Sequence, residues 1–309
     1  MHWREKMINE GHWEGPIIDQ HIHLDRDNRY LGAIEDFVAS GGTGIMLVHK
    51  PNFYYKLPSS IEQYKKEYEN TIEMGEEIKS KFPIEVGIVL GPHPVVWEKQ
   101  SRTMGLEKSS ELHLEAIKIA LDYIEREQAH CLGEVGRPHY SVEPEIWSAA
   151  NEILLETFSL ARSANTSVQL HVEENGEKTC EELSKFCTSV NFPRELAIRH
   201  FSPPDISSKF NHGLSSTINM GKDSVIQICE SLENSKSMWG METDFLDDSR
   251  RPGAVLGPKT VPKRTQELCS ELVARGLDEE KITDLLMNIH CKWPTKLYGL
   301  DFDSNPERI

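Results

Sequence analysis

Eight short β-rich runs, each followed by a longer amphipathic stretch, constrain this chain more than any other feature. The runs fall at residues 16–22, 43–48, 84–90, 129–135, 167–170, 195–199, 213–218 and 237–242. The stretches between them, clearest at 61–81, 112–127, 145–164 and 223–232, carry apolar residues at helical spacing. Such alternation produces parallel strands joined by helical crossovers, and eight units predict a closed (β/α)8 TIM barrel of the α/β class. A barrel domain takes roughly 250 residues. The 309 residues therefore read as an N-terminal extension, 1–15, and one barrel domain, 16–309, with its active site at the C-terminal end of the strands. A doubly wound open sheet competes, but no GxGxxG or GxxxxGK[ST] follows any strand.

Helix ends give finer expectations. Ser109 or Ser110 can cap the helix that follows, and Pro144 stands where a first helical turn accepts proline. A last helical stretch, 278–290, closes the ring, and Trp293-Pro294 is expected to end it.

Composition narrows the function. Apolar residues at 38% and charged residues at 27% suit a large core beneath a solvated surface. The six cysteines show no CxxC pair, which fits buried or partly exposed free thiols. No apolar run approaches the roughly 20 residues that span a bilayer, and residues 1–15 lack a signal-peptide core. The expectation is a soluble, cytoplasmic protein without a membrane partner. A formal charge of −16 argues against an extended nucleic-acid surface, because such binding is driven by counterion release to Lys and Arg.

Chemistry-bearing residues cluster at the strand ends. His21 and His23 in Asp-Gln-His-Ile-His-Leu-Asp (19–25) are two apart on the first strand, so both can face one metal ion. Glu134 stands at the end of the fourth run, and His171 follows the fifth, His200 the sixth and Asp244 the eighth. Barrel enzymes assemble their sites from those positions. This nitrogen and oxygen donor set suits zinc first, with manganese or magnesium as alternatives.

With these residues in view the chain resembles the TatD-related metal-dependent hydrolases of the amidohydrolase superfamily, in a divergent, archaeal-type branch. The resemblance rests on DQHIHLD (19–25), GPHPVV (91–96), GEVGRPHY (133–140), METDFLD (241–247), RPGAVLGPKTVP (251–262) and NIHCKWPTKLYG (288–299). It implies two divalent metal ions, one held by His21, His23, Glu134 and Asp244 and the other by Glu134, His171 and His200, with Glu134 bridging. Two such ions acidify water and clamp the attacking and leaving oxygens. Asp244 becomes the catalytic general base and later the proton donor to the leaving group.

The chain departs from typical members after His171. Where relatives place a basic residue two positions on, it has Glu173, followed by Glu174, and an acid there is expected to repel a phosphodiester. Arg137 is expected to restore positive charge, assisted by His93, Lys50, Arg250, Arg251 or Lys259. His93, Arg137 and His139 are the expected substrate contacts, His93 alternatively orienting a ligand, with His49 a weaker candidate. Phe53, Tyr54 and Tyr55 are expected to cap the mouth or stack on a ring. Trp3 and Trp13, with His2 and His12, are expected to pack the N-terminal rim or an oligomer contact.

The leading expectation is a phosphoester or phosphodiester hydrolase, a TatD-like deoxyribonuclease acting on a small molecule or a nucleic-acid end. A hydrolase of a small amide, ester or lactone is the alternative within enzymes. A non-catalytic metal- or ligand-binding barrel is the alternative outside them, disfavoured by the spare carboxylate of Asp244. The sequence leaves self-association open.

Overall fold

The computed structural model describes residues 7–51, 57–250 and 256–302. All eight expected strands are present: β1 (Ile18–His23), β2 (Gly44–Val48), β3 (Glu85–Leu90), β4 (Cys131–Gly136), β5 (Val168–His171), β6 (Ala197–Ser202), β7 (Ser215–Asn219) and β8 (Trp239–Glu242). Consecutive strands pair in parallel. After Thr243 and Asp244 the chain resumes as a short segment, Phe245–Leu246, that pairs in parallel with β1. The eighth strand thus holds β7 with its first part and β1 with its continuation. This closes the sheet into a (β/α)8 barrel.

The helices form for identifiable reasons. The helix Ile61–Lys81 buries Tyr64, Tyr68, Ile72, Gly75 and Ile78, a spacing of three and four that makes one stripe against the barrel. Glu62 lies in its first turn and Lys79 and Lys81 in its last, each matched to the helix dipole. Pro144 opens its helix as expected. Ser109 and Ser110 are corrections. The helix begins earlier, at Leu106, after Gly105 with φ +87°, so both serines sit inside it and their hydroxyls donate back to the Leu106 carbonyl. Trp293-Pro294 is a second correction. The helix Glu279–Met287 passes through a π turn, Asn288–Lys292, into Trp293–Tyr298, and Pro294 falls in the first turn of that renewed helix, where its missing N–H costs nothing.

At the N-terminal end of the barrel the short strands Ile8–Asn9 and His12–Trp13 pair as a hairpin. Trp13 is buried, donates from Nε1 to the Pro16 carbonyl, and exchanges backbone hydrogen bonds with the Gln266 amide. It packs the N-terminal rim, as the sequence suggests; Trp3 and His2 lie outside the described residues. Just above, His290 accepts the Ile18 N–H at Nδ1 (3.2 Å), which leaves the Nε2 proton for Thr265 Oγ1 (3.1 Å). Tyr298 Oη donates to Gln20 Oε1 and accepts from Gln169 Nε2. All six cysteines are buried and free. Among the described residues no helix is long and apolar enough to cross a membrane.

Candidate metal centre

The strand ends bring His21, His23, His93, Glu134, His139, His171, His200 and Asp244 together at the C-terminal mouth. The backbone is irregular where it delivers them. Strand register shifts between Asp19 and Ile22, between Leu132 and Val135, and between Arg199 and Ser202. Those three steps contain His21, Glu134 and His200. A bulge re-aims the side chain it carries, which regular pleating would direct elsewhere. The eighth strand breaks at Asp244, with φ +49°, a conformation that Asp tolerates better than most residues. At Gly136, with φ +138°, a Cβ would lie 2.2 Å from the His171 carbonyl oxygen. Glycine there lets β4 run against β5 where His171 emerges.

One carboxylate faces two groups of imidazoles. His21 Nε2 and His23 Nε2 lie 3.1 Å apart. Both face Glu134 Oε2, at 3.7 and 3.6 Å, and Asp244 Oδ1, at 3.8 and 3.5 Å. The other Glu134 oxygen, Oε1, is hydrogen-bonded to His171 Nδ1 and lies 2.8 Å from His200 Nε2 and 3.4 Å from His93 Nε2. His139 Nδ1 is 2.7 Å from His171 Nε2 on the solvent side.

These donors fit divalent cations. Ligand atoms of His21, His23 and Asp244 lie within 4.8 Å of one another, as do those of His93, Glu134 and His171. Ring tautomers sharpen the assignment. His23 Nδ1 faces the Val48 carbonyl at 3.1 Å, so it carries the proton and Nε2 presents a lone pair to the cluster. His93 is the reverse. Its Nδ1 accepts the Val95 N–H at the start of the helix Pro94–Met104, so the neutral ring carries its proton on Nε2, as a donor toward Glu134. We read His93 as a hydrogen-bond donor to the site, not as a ligand, although its distance alone would admit ligation.

Electrostatics agree with a centre built for positive charge. Burial alone would raise the Glu134 carboxyl, but His93, His200 and His171 hold it well below the usual carboxylate range. Burial opposes ionisation of Asp244 as well, and is outweighed by the imidazoles of His23, His21 and His200 that surround it, so its carboxyl lies below the usual carboxylate range. Burial pushes His21 down and His93 down to about 4. His200 is raised in spite of burial because Glu134 and Glu242 face it. The Asp244 side chain keeps 23% of its surface exposed against 5% for Glu134, so it alone of the two carboxylates reaches solvent at the mouth.

The expected cations are elsewhere. Arg137 is a correction: its guanidinium is fully buried, stacks on Trp147, and is engaged by Glu173, Glu182 and Asn151. Nothing of it is left for substrate. Glu173 is not a bare repelling acid either, since it holds Arg137, and Glu174 pairs with Arg199. Lys50 is bound to Asp25 and to the Asp247 carbonyl, Arg250 to Asp248, and Lys259 to Asp36. His49 faces Thr71 and Glu67, away from the imidazole cluster. Phe53, Tyr54, Tyr55 and Arg251 lie outside the described residues.

Sequence reasoning missed Glu242 and Phe201. Glu242 Oε1 accepts the Phe201 N–H at 2.6 Å and lies 3.5 Å from His200 Nδ1. Its place at the end of the eighth strand, two residues before Asp244, was the available signal.

A parallel barrel whose strand ends present imidazoles around a shared carboxylate defines the class: a metal-dependent hydrolase of the TIM-barrel kind. Within it the chain belongs to the TatD related DNase family, which matches residues 18–293. It is 29% identical over 292 residues to the uncharacterized protein MJ1127 of Methanocaldococcus jannaschii, covering 93% of this chain and 97% of that protein. Among solved structures it is similar to YJJV, a TatD homologue of Escherichia coli K12 (TM-score 0.60, 17% identity, covering 92% of this chain and 98% of that one). It also shares its fold with the phosphotriesterase homology protein of Escherichia coli, solved with phosphate in its active site (TM-score 0.54, 9% identity, covering 94% and 99%).

Proposed function

We propose that the mouth is a binuclear metal centre, zinc by preference, that hydrolyses phosphoesters or phosphodiesters, with a nucleic-acid end as the best-matched substrate of a family of DNases. The observation that carries this reading is Glu134, whose two oxygens each face a separate group of imidazoles. His21, His23 and Asp244 would hold one ion and His171 and His200 the other, with Glu134 shared. Bound there, the pair supplies Lewis acidity, lowering the pKa of water and neutralising charge that develops on oxygen.

The chain's own residues do the rest. Asp244, ionised and partly exposed, accepts a proton from the attacking water and returns it to the leaving oxygen. His93, kept neutral by burial and tautomerically fixed, directs its Nε2 proton at Glu134 and so orients the shared carboxylate. His139, exposed beside His171, stands where it can contact the substrate from the solvent side. The phosphate bound by the Escherichia coli fold relative supports the substrate class, and the neutralisation of Glu173 by Arg137 removes the objection to it.

A small amide, ester or lactone is the second reading. It is favoured by one observation: Lys50 and Arg250, the cations the sequence offered to the site, are both engaged by carboxylates of the chain, as a neutral substrate would allow. Metal-loaded protein assayed against single-stranded DNA, bis(p-nitrophenyl) phosphate, a phosphomonoester, a lactone and an N-acyl amino acid separates the two. Turnover confined to phosphorus esters is expected, and turnover confined to the lactone or amide would transfer the assignment.

A further inference from the structure

An exposed phenylalanine on a barrel strand is by itself unremarkable, since apolar atoms make up much of any protein surface. Phe201 combines three features that surface residues do not share. It directly follows His200 and is 54% exposed, the most exposed large hydrophobic side chain among the described residues, in a strand whose other residues are buried. Its backbone is left-handed, with φ +50°, which for a side chain of this size is unfavourable unless the surroundings fix it. They do: the buried Glu242 carboxylate accepts its N–H at 2.6 Å. The register shift between Arg199 and Ser202 turns the ring out of the helical layer, where strand alternation would have buried it, and leaves it exposed beside the His200 ring.

The ring ends a row. Centroids of His139, His171, His200 and Phe201 follow one another at 4.9, 5.5 and 6.2 Å. A group held at Glu134 between His171 and His200 therefore has an aromatic face one ring further along. We propose that Phe201 is a stacking platform that selects substrates carrying a planar ring, a nucleobase or an aryl group, next to the scissile bond. Stacking needs only a π-face and tolerates different rings. The proposal rests on the phosphoester reading for the scissile group, and deepens it by naming what the substrate carries.

Binding of non-hydrolysable probes to the zinc-loaded protein tests it, in two matched pairs: phenylphosphonate against ethylphosphonate, and phenylacetate against butyrate. The non-hydrolysable methylenephosphonate analogue of thymidine 5′-monophosphate distinguishes a nucleobase from a simple aryl source. One stacked ring contributes about 5- to 150-fold in affinity, so phenylphosphonate should bind wild type at least about 5-fold more tightly than ethylphosphonate. Phe201→Ala should erase that preference and leave ethylphosphonate affinity unchanged, while Phe201→Trp preserves it. Because the side chain is exposed, neither variant disturbs the core, and matching melting temperatures check this. Equal affinity for ring and alkyl probes in wild type would overturn the proposal, as would a Phe201→Ala loss shared equally by both. If only the carboxylate pair binds, the phosphoester reading fails while the ring preference is still read from that pair. Failure of every probe to bind overturns both.

Discussion

At the N-terminal end of the strands His290 has both ring nitrogens engaged, by the Ile18 N–H and by Thr265, and Tyr298 and Gln20 satisfy each other beside it. The Gln169 side-chain carbonyl is unpartnered there, as are Ser216 Oγ, Thr217 Oγ1 and Trp239 Nε1 in the first residues of β7 and β8. At the C-terminal end, equally buried, the Nε2 atoms of His21 and His200 crowd other imidazoles and carboxylates, while His21 Nδ1 is left without a hydrogen bond and His200 Nδ1 faces Glu242 at 3.5 Å. An unmatched buried donor or acceptor costs about 1–3 kcal/mol wherever it stands, and what separates the two ends is convergence: the unmatched atoms of the packing layer are scattered, whereas the imidazoles at the mouth point at one another. A layer that leaves lone pairs converging is arranged around something else, and divalent cations fit it.

The sharpest way to break this contrast is at Asp244. Asn keeps the size and one oxygen but accepts no proton. With both metal sites confirmed full, Asp244→Asn should lower turnover about 100- to 10,000-fold, or roughly 3–5 kcal/mol of barrier. Near-normal turnover would transfer the base to another group.

Acid provides the next largest effect, and histidines packed away from the mouth carry a share of it. Burial holds His290, and His113 inside the helix Leu106–Glu125, down to about 3, His113 with a further push from His93, while an unfolded chain protonates near 6.5. Below 6.5 the unfolded state binds more protons, so this stability is complete above that pH and is lost as pH falls toward 3. From pH 6.5 to 5, metal-free protein should lose about 2 kcal/mol for each of the two histidines in urea denaturation. His113→Leu should flatten the slope by one such share; an unchanged slope would deny His113 its neutral state.

Smaller still is the effect of His290→Leu, which leaves the Ile18 N–H unmatched. It should cost roughly 1–3 kcal/mol of stability and leave metal affinity as it was. A loss of metal affinity equal to that of a mouth variant would erase the distinction between the layers.

Much of this was legible in the sequence, for reasons that differ by residue. The strands announced themselves because a barrel strand needs an apolar run of fixed length, and the helix Ile61–Lys81 because its stripe and end charges agree. His21, His23, Glu134, His171, His200 and Asp244 stood out by position at strand ends. Arg137 misled because a basic residue beside a site says nothing of where its guanidinium goes; Glu173 and Glu182 decide that, from 36 and 45 residues away. The role of His93 hangs on one backbone N–H, from Val95, that captures its Nδ1. Phe201 was invisible because strand alternation predicts it buried, and only the register shift exposes it.

Metal content compared between wild type and Glu134→Ala tests the shared carboxylate most directly. After reconstitution with zinc and removal of loose ion, elemental analysis should find about two ions per chain in wild type. Glu134→Ala should lose both, whereas His200→Ala should weaken mainly the second. No bound metal in wild type, or equal retention in the two variants, would contradict a centre bridged by Glu134.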